Sequence, residues 1–250
     1  MKYIFLVFLL MAIQLKINAQ VKNLPKKSEQ QIEKQKKEDE ERQNQDWAFL
    51  KRYQKENEKL IAEGFKDNRV VFMGNSITEG WKKMDSSFFA KNSFIDRGIS
   101  GQTTPQMLIR FHPDVINLKP KVVVILAGIN DIAENTGKIT LENTFENIIA
   151  MAEIAKANNV KVILSSVLPA NNFPWRPSIE PADKVIRLNE MIKKYVEKEG
   201  LIYADYFSAM VDDKKGLKKE LTSDGVHPTL AGYKVMEPII EKAIKGALAK

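Results

Sequence analysis

A serine and a histidine occur in two widely separated segments, each among residues that suit acyl transfer. Ser76 stands in FMGNSITEGW, and Asp224 and His227 stand in SDGVHP. A serine hydroxyl is a poor nucleophile until a base takes its proton, and histidine is the usual base because its pKa lies near neutral pH. A neighbouring carboxylate fixes the imidazole tautomer and stabilises the imidazolium that forms. These residue types suggest nucleophilic attack on an acyl carbonyl.

Two further segments hold groups that could stabilise an oxyanion. Gly98 lies in RGISGQTT, and Gly128 and Asn130 lie in AGIND. Backbone N–H groups at glycines and an asparagine amide are donors that such a site needs. Simpler interpretations exist: Ser76 could be a helix N-cap, and both glycines could be turn residues with positive φ. Asn130 could likewise form a capping pair with Asp131, which we expect to be structural.

The elements that must position these residues follow from hydrophobic patterning. Short runs rich in valine and isoleucine predict strands at 71–74, 93–99, 122–128, 160–168 and 201–207. Helical patterns lie between them, at 104–118, 140–158, 181–199 and 229–248. Apolar strands that alternate with amphipathic helices are typical of a parallel sheet covered on both faces. The sequence therefore predicts an α/β protein, a three-layer α/β/α sandwich around a parallel five-stranded sheet.

In such sheets the active groups gather on loops at the carboxyl ends of the strands. The predicted loops at this edge are 74–80, 98–104, 128–135, 169–178 and 206–228. All the candidate residues named above fall within them. The pattern thus predicts that segments far apart in the chain meet along one edge of the sheet.

The blocks together resemble the SGNH hydrolases, also called GDSL-type lipases and acylhydrolases. GNSIT, RGISGQTT, GIND and DGVHP occur in the family's order, and the resemblance covers roughly residues 68–248. One block alone would be a weak signal, whereas four in order at predicted strand ends or before the last helix are specific. The resemblance implies a flavodoxin-like SGNH hydrolase fold and a serine esterase that needs no metal or cofactor.

The resemblance also implies a role for each residue. It makes Ser76 the nucleophile, His227 the general base and Asp224 the partner that orients the base. The implied oxyanion hole consists of the Ser76 N–H, the Gly98 N–H and the Asn130 side chain.

This chain departs from the family pattern at Asn75, where the first block usually has an aspartate. The change keeps an acceptor oxygen but removes a negative charge beside the nucleophile, so we expect its orientation to survive. This departure is the reason for considering an alternative function of another class, a carbohydrate-binding protein with an inactive site. His112, the only other histidine, is expected to be a surface or packing residue because it does not follow a predicted strand. GNSITEG lacks the Gly-Lys-Ser/Thr ending of a phosphate loop, which disfavours a nucleotide site.

Aromatic residues near the predicted site bear on the substrate. Trp81 follows the nucleophile segment, and Trp175 and Arg176 lie in LPANNFPWRP after the fourth strand. Indole faces pack against sugar rings, although both tryptophans could instead fill surface grooves. With Asn75, these residues are the candidate substrate contacts. The chain has no long apolar lid segment, which favours short acyl groups such as acetyl on a small-molecule or glycan alcohol; a lysophospholipase-like activity on lipid esters is the alternative.

Composition bounds the class of protein. The chain has 250 residues, 44% hydrophobic and 28% charged, which suits a globular domain with a real core. The net charge is +7, but no compact Lys/Arg block with aromatics is present, so we do not expect nucleic-acid binding. The absence of cysteine excludes a disulfide framework and a thiol nucleophile. The sequence leaves the oligomeric state open.

The amino-terminal segments differ from the rest of the chain. Residues 1–19 are predicted to be a signal peptide, with Lys2 before an apolar run that is too short to span a bilayer. This predicts a secreted or periplasmic protein without a membrane span once the signal is removed; an uncleaved membrane anchor is the alternative. Residues 20–46 are interpreted as a charged linker or exposed helix. The hydrolase domain is predicted at 47–250, with a docking helix at 47–63.

Overall fold

The chain divides into two units, Met1–Gln45 and Asp46–Lys250. The computed structural model describes residues 33, 34, 37, 41, 44–64 and 68–249. The predicted signal peptide and most of the predicted linker lie outside the described residues. Among the residues that are described, no helix is both long enough and apolar enough to cross a bilayer. All elements below belong to the second unit.

Five parallel strands form one sheet in this unit. They are β1 (Val70–Gly74), β2 (Phe94–Gly98), β3 (Val122–Leu126), β4 (Lys161–Ser165) and β5 (Ile202–Ala204). Their order across the sheet is β2-β1-β3-β4-β5, and every pairing is parallel. All residues of β1 and β3 are buried, as expected of central strands covered on both faces. The predicted α/β architecture with a parallel five-stranded sheet is confirmed.

Nine α-helices connect and cover the strands in the described part of the chain. They are α1 (Gln54–Ala62), α2 (Ser76–Met84), α3 (Ser86–Asn92), α4 (Thr104–Asp114), α5 (Ile129–Ile132), α6 (Leu141–Ala157), α7 (Ala182–Glu199), α8 (Tyr206–Met210) and α9 (Leu230–Ala249). Helices α4, α6 and α7 contact one another in turn, whereas α2 and α9 contact each other. The sheet therefore has one helical layer on each face.

The register of the sheet brings three strand ends to one level. Gly74 at the end of β1 pairs with Gly98 at the end of β2 and with Leu126 at the end of β3. The chain leaves all three strands at this edge. Loops that follow β1, β2 and β3 are consequently neighbours in space.

Two predicted segments differ from the structure at their boundaries. The docking helix expected at 47–63 begins only at Gln54, because residues 46–53 form turns instead. The Asp46 carboxylate accepts the N–H of Leu50 at 2.8 Å, and such local hydrogen bonds compete with a helix.

The predicted loop 74–80 is also mostly helical, since α2 begins at Ser76. The side chain of Asn75 accepts the N–H of Ile77 at 3.1 Å and caps the helix. The predicted loop 206–228 contains α8 and a short 3₁₀ helix, Lys219–Leu221.

Candidate active site

Ser76 is the first residue of α2 and follows β1 through a sharp turn at Asn75. A Cβ at Gly74 would lie 2.0 Å from Thr78 Oγ1, so only glycine permits this turn. The N–H of a residue at the first helical position has no acceptor within its own helix. Ser76 therefore presents both a hydroxyl and a backbone donor at the positive end of the α2 dipole.

His227 and Asp224 complete a hydrogen-bonded line with the serine. Ser76 Oγ lies 2.9 Å from His227 Nε2. On the other side of the imidazole, Nδ1 lies 2.7 Å from Asp224 Oδ2. These distances allow a proton to pass from the hydroxyl to the imidazole while the carboxylate holds the ring. The structure thus brings together three residues that are up to 151 positions apart in the chain.

The Asp224 carboxylate is oriented by its own loop. Its second oxygen, Oδ1, accepts the N–H groups of Val226 at 2.9 Å and His227 at 2.8 Å. The Thr222 hydroxyl closes the loop by donating to the His227 carbonyl at 2.7 Å. Partial burial raises the pKa of Asp224, but hydrogen bonds from the backbone and ring of His227 outweigh it and lower the pKa overall. Asp224 is therefore a carboxylate at neutral pH.

Asn130 joins the loops that follow β2 and β3. It lies in α5 and is buried. Its Nδ2 donates to the backbone carbonyl of Gln102 at 2.9 Å. Among the described residues, the second hydrogen of this amide has no acceptor in the structure. The side chain is thus fixed in place with one donor left to offer.

The oxyanion role expected for Gly98 needs correction. The Gly98 N–H donates to Asp96 Oδ1 at 2.7 Å, so it is already satisfied inside the protein. A Cβ at Gly98 would lie 2.2 Å from the backbone nitrogen of Glu79. Glycine is required here because β2 packs directly against the backbone of α2. Gly98 therefore serves packing and has no N–H to offer a substrate.

Gly101 is a candidate oxyanion donor that sequence reasoning missed. It lies in residues 99–103, which we call the oxyanion loop, and it is exposed with φ of +79°. Its carbonyl accepts Asn135 Nδ2 at 3.2 Å, and its N–H has no acceptor among the described residues. The next residue, Gln102, is held by Asn130. The signal in RGISGQTT was the second glycine, which lies beyond the strand end and not within the strand.

The comparison with known proteins agrees with this geometry. Residues 72–235 match the model of the GDSL-like lipase/acylhydrolase family. The chain belongs to this family. The matched region begins in β1 and ends in α9, so it includes Ser76, Asn130 and His227. The resemblance of the sequence to the SGNH/GDSL family of ester hydrolases is confirmed.

Individual relatives extend the comparison. A GDSL-like lipase of known structure from Bacteroides thetaiotaomicron is 51% identical; the match covers 81% of this chain and 100% of that one, with a TM-score of 0.79. An acetylxylan esterase of Xylanibacter ruminicola is 27% identical in an alignment of 219 positions that covers 71% of this chain and 43% of that protein. A Bacillus subtilis lipoprotein is 33% identical over 78 residues, 30% of this chain and 32% of that protein. The chain thus spans less than half the length of these two curated relatives.

Within this GDSL-like hydrolase, Trp81 is not a substrate contact, contrary to expectation. Its side chain is 1% exposed and stacks between Phe88 and Tyr233, with ring centroids 5.2 and 5.4 Å away. Five helical positions separate Trp81 from Ser76, so the two side chains lie on different faces of α2. Trp81 belongs to the core between α2, α3 and α9.

Asn75 is likewise part of the interior. It is 1% exposed, and its Oδ1 is used in capping α2. The expectation that it contacts substrate is therefore corrected. Its position explains how asparagine replaces the usual aspartate, because an amide oxygen accepts the capping N–H as a carboxylate oxygen would.

Trp175, a predicted substrate contact, lies beside His227. It is 44% exposed, its ring centroid is 6.1 Å from that of His227, and it stacks on buried Phe173 at 5.3 Å. Neighbouring Arg176 is half-buried, and its backbone N–H donates to the Phe173 carbonyl at 2.9 Å. One broad aromatic face is thus held firmly at the mouth of the site.

The remaining candidates have structural places. His112 is exposed on α4, where its Nδ1 lies 3.1 Å from Asn117 Oδ1. Asp131 is buried and accepts the N–H of Thr104 at 3.0 Å, which caps α4. Gly128 has φ of +118°, and a Cβ there would lie 2.6 Å from Leu188 Cδ2. In the described ranges, no three His, Asp or Glu side chains are grouped so as to hold a metal ion.

Proposed function

We propose that the protein is an exported serine esterase that hydrolyses short-chain, chiefly acetyl, esters of carbohydrate alcohols. The observation that carries this proposal is the continuous line from Ser76 Oγ through His227 to Asp224, with separations of 2.9 and 2.7 Å. Membership of the acylhydrolase family supports ester bonds as the target.

The geometry supports a two-step mechanism. Ser76 Oγ attacks the ester carbonyl carbon while its proton passes to His227 Nε2, and Asp224 stabilises the imidazolium. The tetrahedral oxyanion accepts hydrogen bonds from the Ser76 N–H, the Gly101 N–H and Asn130 Nδ2. His227 then gives its proton to the leaving alcohol oxygen, which leaves an acyl-serine. Water attacks this acyl group with His227 again as base, releasing the acid and restoring Ser76.

The exposed indole beside the catalytic base supports a carbohydrate alcohol. Trp175 offers a rigid aromatic face close to His227, and such faces pack against the apolar faces of sugar rings. The Xylanibacter ruminicola relative is an acetylxylan esterase, which supports acetylated polysaccharide as the substrate class. The apolar run at residues 3–13, read as part of a signal peptide, supports export to such a substrate.

Hydrolysis of p-nitrophenyl acetate by the wild type and by Ser76→Ala tests the chemistry. We expect the substitution to lower kcat by at least about 10³-fold, because the nucleophile is removed. Equal rates for the two proteins would overturn the esterase proposal. They would favour the alternative, a carbohydrate-binding protein with an inactive site.

Acetylated xylo-oligosaccharides compared with long-chain lysophospholipids test the substrate class. The proposal expects the higher kcat/KM on the acetylated sugars, and Trp175→Ala should raise KM for them with little effect on p-nitrophenyl acetate. A preference for long acyl chains would replace the carbohydrate assignment with the lipid-ester alternative and leave the mechanism intact.

A further inference from the structure

We propose that residues 46–53, which we call the clamp segment, hold the oxyanion loop in its catalytic position. This inference rests on the esterase function proposed above. The family match begins only at residue 72, so the clamp segment lies outside the matched region. Its residues are nonetheless hydrogen-bonded to both ends of the loop that carries Gly101.

The first contact is at the start of the oxyanion loop. The Tyr53 hydroxyl donates to the carbonyl of Gly98, the residue just before the loop, at 2.5 Å. Tyr53 is 6% exposed, and the guanidinium groups of Arg52 and Arg97 lie against its ring at 4.7 and 4.6 Å. Burial raises the pKa of Tyr53, so its hydroxyl stays protonated and available as a donor. Tyr53 is therefore a rigidly held hydrogen-bond donor to the backbone just before the oxyanion loop.

The second contact is at the other end of the loop. Gln102 is buried, and its Nε2 donates to the backbone carbonyl of Ala48 at 2.8 Å. The backbone carbonyl of the same residue accepts Asn130 Nδ2 at 2.9 Å. Gln102 thus links the clamp segment directly to the amide that serves the oxyanion. A neighbouring contact repeats the arrangement, since Gln106 Nε2 donates to the Trp47 carbonyl at 2.7 Å.

Arg110 connects this framework to the nucleophile turn. It is completely buried, and its Nε donates to Gln102 Oε1. Its second terminal nitrogen donates to the Gly74 carbonyl at 2.9 Å, two residues before Ser76. Asp114 balances the charge at 2.9 Å. One guanidinium therefore fixes the distance between the nucleophile turn and the oxyanion loop.

The middle of the loop is held from α2. Glu79 accepts the backbone N–H of Ser100 at 3.0 Å and also its hydroxyl, immediately before Gly101. Arg52 of the clamp segment lies 3.6 Å from the other oxygen of Glu79. These contacts leave the Gly101 N–H little freedom of orientation. Preset donors stabilise a transition state without reorganisation, so loss of the clamp should affect kcat more than KM.

The test substitutes Tyr53→Phe in the full chain, which removes one hydroxyl and keeps the ring. We expect kcat for p-nitrophenyl acetate to fall about 10-fold, with KM changed less than about twofold, because the donors are displaced and not deleted. The matched control is Tyr195→Phe on α7, since the Tyr195 hydroxyl has no hydrogen-bond partner among the described residues. The control should retain wild-type kcat. A Tyr53→Phe variant as active as the control would overturn the inference.

Gln102→Glu supplies a second, independent variant. Its carboxylate keeps an acceptor for Arg110 but cannot donate to Ala48, so it breaks only the clamp contact of that side chain. We expect a fall in kcat of about 10-fold or more, and the rate of Ser76 labelling by a fluorophosphonate should fall in parallel. Circular dichroism and thermal unfolding must show a folded protein. A folded Gln102→Glu variant with wild-type kcat would overturn the clamp.

The outcomes separate the two proposals. If wild type and Ser76→Ala hydrolyse the ester equally and neither is labelled, the esterase proposal fails, and this inference fails with it. If the wild type is active and labelled while both clamp variants match it, the esterase proposal stands and only the clamp is refuted.

Discussion

At the scale of single residues, Asp224 uses both of its carboxylate oxygens in hydrogen bonds. One carboxylate oxygen holds the imidazole Nδ1, while the other accepts two backbone N–H groups of its own loop. The direct contact of 2.7 Å with His227 gives the carboxylate an orienting role that a backbone carbonyl would have to replace. Asp224 therefore sets both the tautomer of His227 and the shape of the loop.

Asp224→Asn should lower kcat by about 10²- to 10⁴-fold, because an amide at this position favours the wrong imidazole tautomer. The measurement is steady-state hydrolysis of p-nitrophenyl acetate at pH 7 and above. Asp183→Asn is a matched control, since that carboxylate is exposed on α7 and pairs with Lys215 at 2.7 Å. A loss below about threefold at Asp224 would mean that another acceptor orients the histidine.

At the scale of elements, helix α2 has two functions on two faces. Its first residue is Ser76, the proposed nucleophile, and its inner face places Trp81 among aromatic side chains from α3 and α9. The indole nitrogen of Trp81 has no hydrogen-bond partner among the described residues, so its contribution is packing. This packing holds the end of α2 that carries Ser76 against β2.

Trp81→Ala should destabilise the fold by about 3–5 kcal/mol, because it leaves a large cavity between α2 and α9. Trp81→Phe should cost about 1–2 kcal/mol, since no hydrogen bond is lost and part of the volume is kept. Urea unfolding followed by circular dichroism measures both values. Equal stability of Trp81→Ala and wild type would contradict the assignment of this tryptophan to the core.

At the scale of the whole molecule, buried carboxyl groups make stability depend on pH. Asp96 lies in β2 with 4% exposure, and burial, only partly offset by the Gly98 N–H, raises its pKa to about 6. The folded state then binds a proton between about pH 4 and 6 that the unfolded chain has released. This contribution to stability is complete below about pH 4 and is lost as pH rises through the folded pKa.

Asp96→Asn should therefore reduce the loss of unfolding free energy between pH 4 and 7. The expected difference from wild type is about 3 kcal/mol, from a shift of roughly two pKa units. Other carboxylates titrate alike in both proteins, so the comparison of the two pH profiles by urea unfolding isolates Asp96. Parallel profiles would show that the carboxyl group has an ordinary pKa in the folded state.

Much of this organisation could be predicted from sequence because it is written in local patterns. Valine-rich strands alternating with amphipathic helices predict a parallel sheet, since that spacing hides apolar side chains on both faces. Parallel strands expose their carboxyl ends at one edge, so Ser76, Asn130 and His227 could be expected to meet before any distance was known.

Only the tertiary structure shows which polar groups already have a hydrogen-bond partner and which side chains are buried. RGISGQTT contains two glycines, and only the folded protein places the Asp96 carboxylate on the Gly98 N–H and leaves Gly101 without an acceptor among the described residues. Trp81 and Trp175 are the same residue type, yet one is sealed in the core and the other lies open beside His227. Burial and hydrogen-bond partners depend on contacts between segments that are distant in the chain. A local sequence pattern therefore does not predict them.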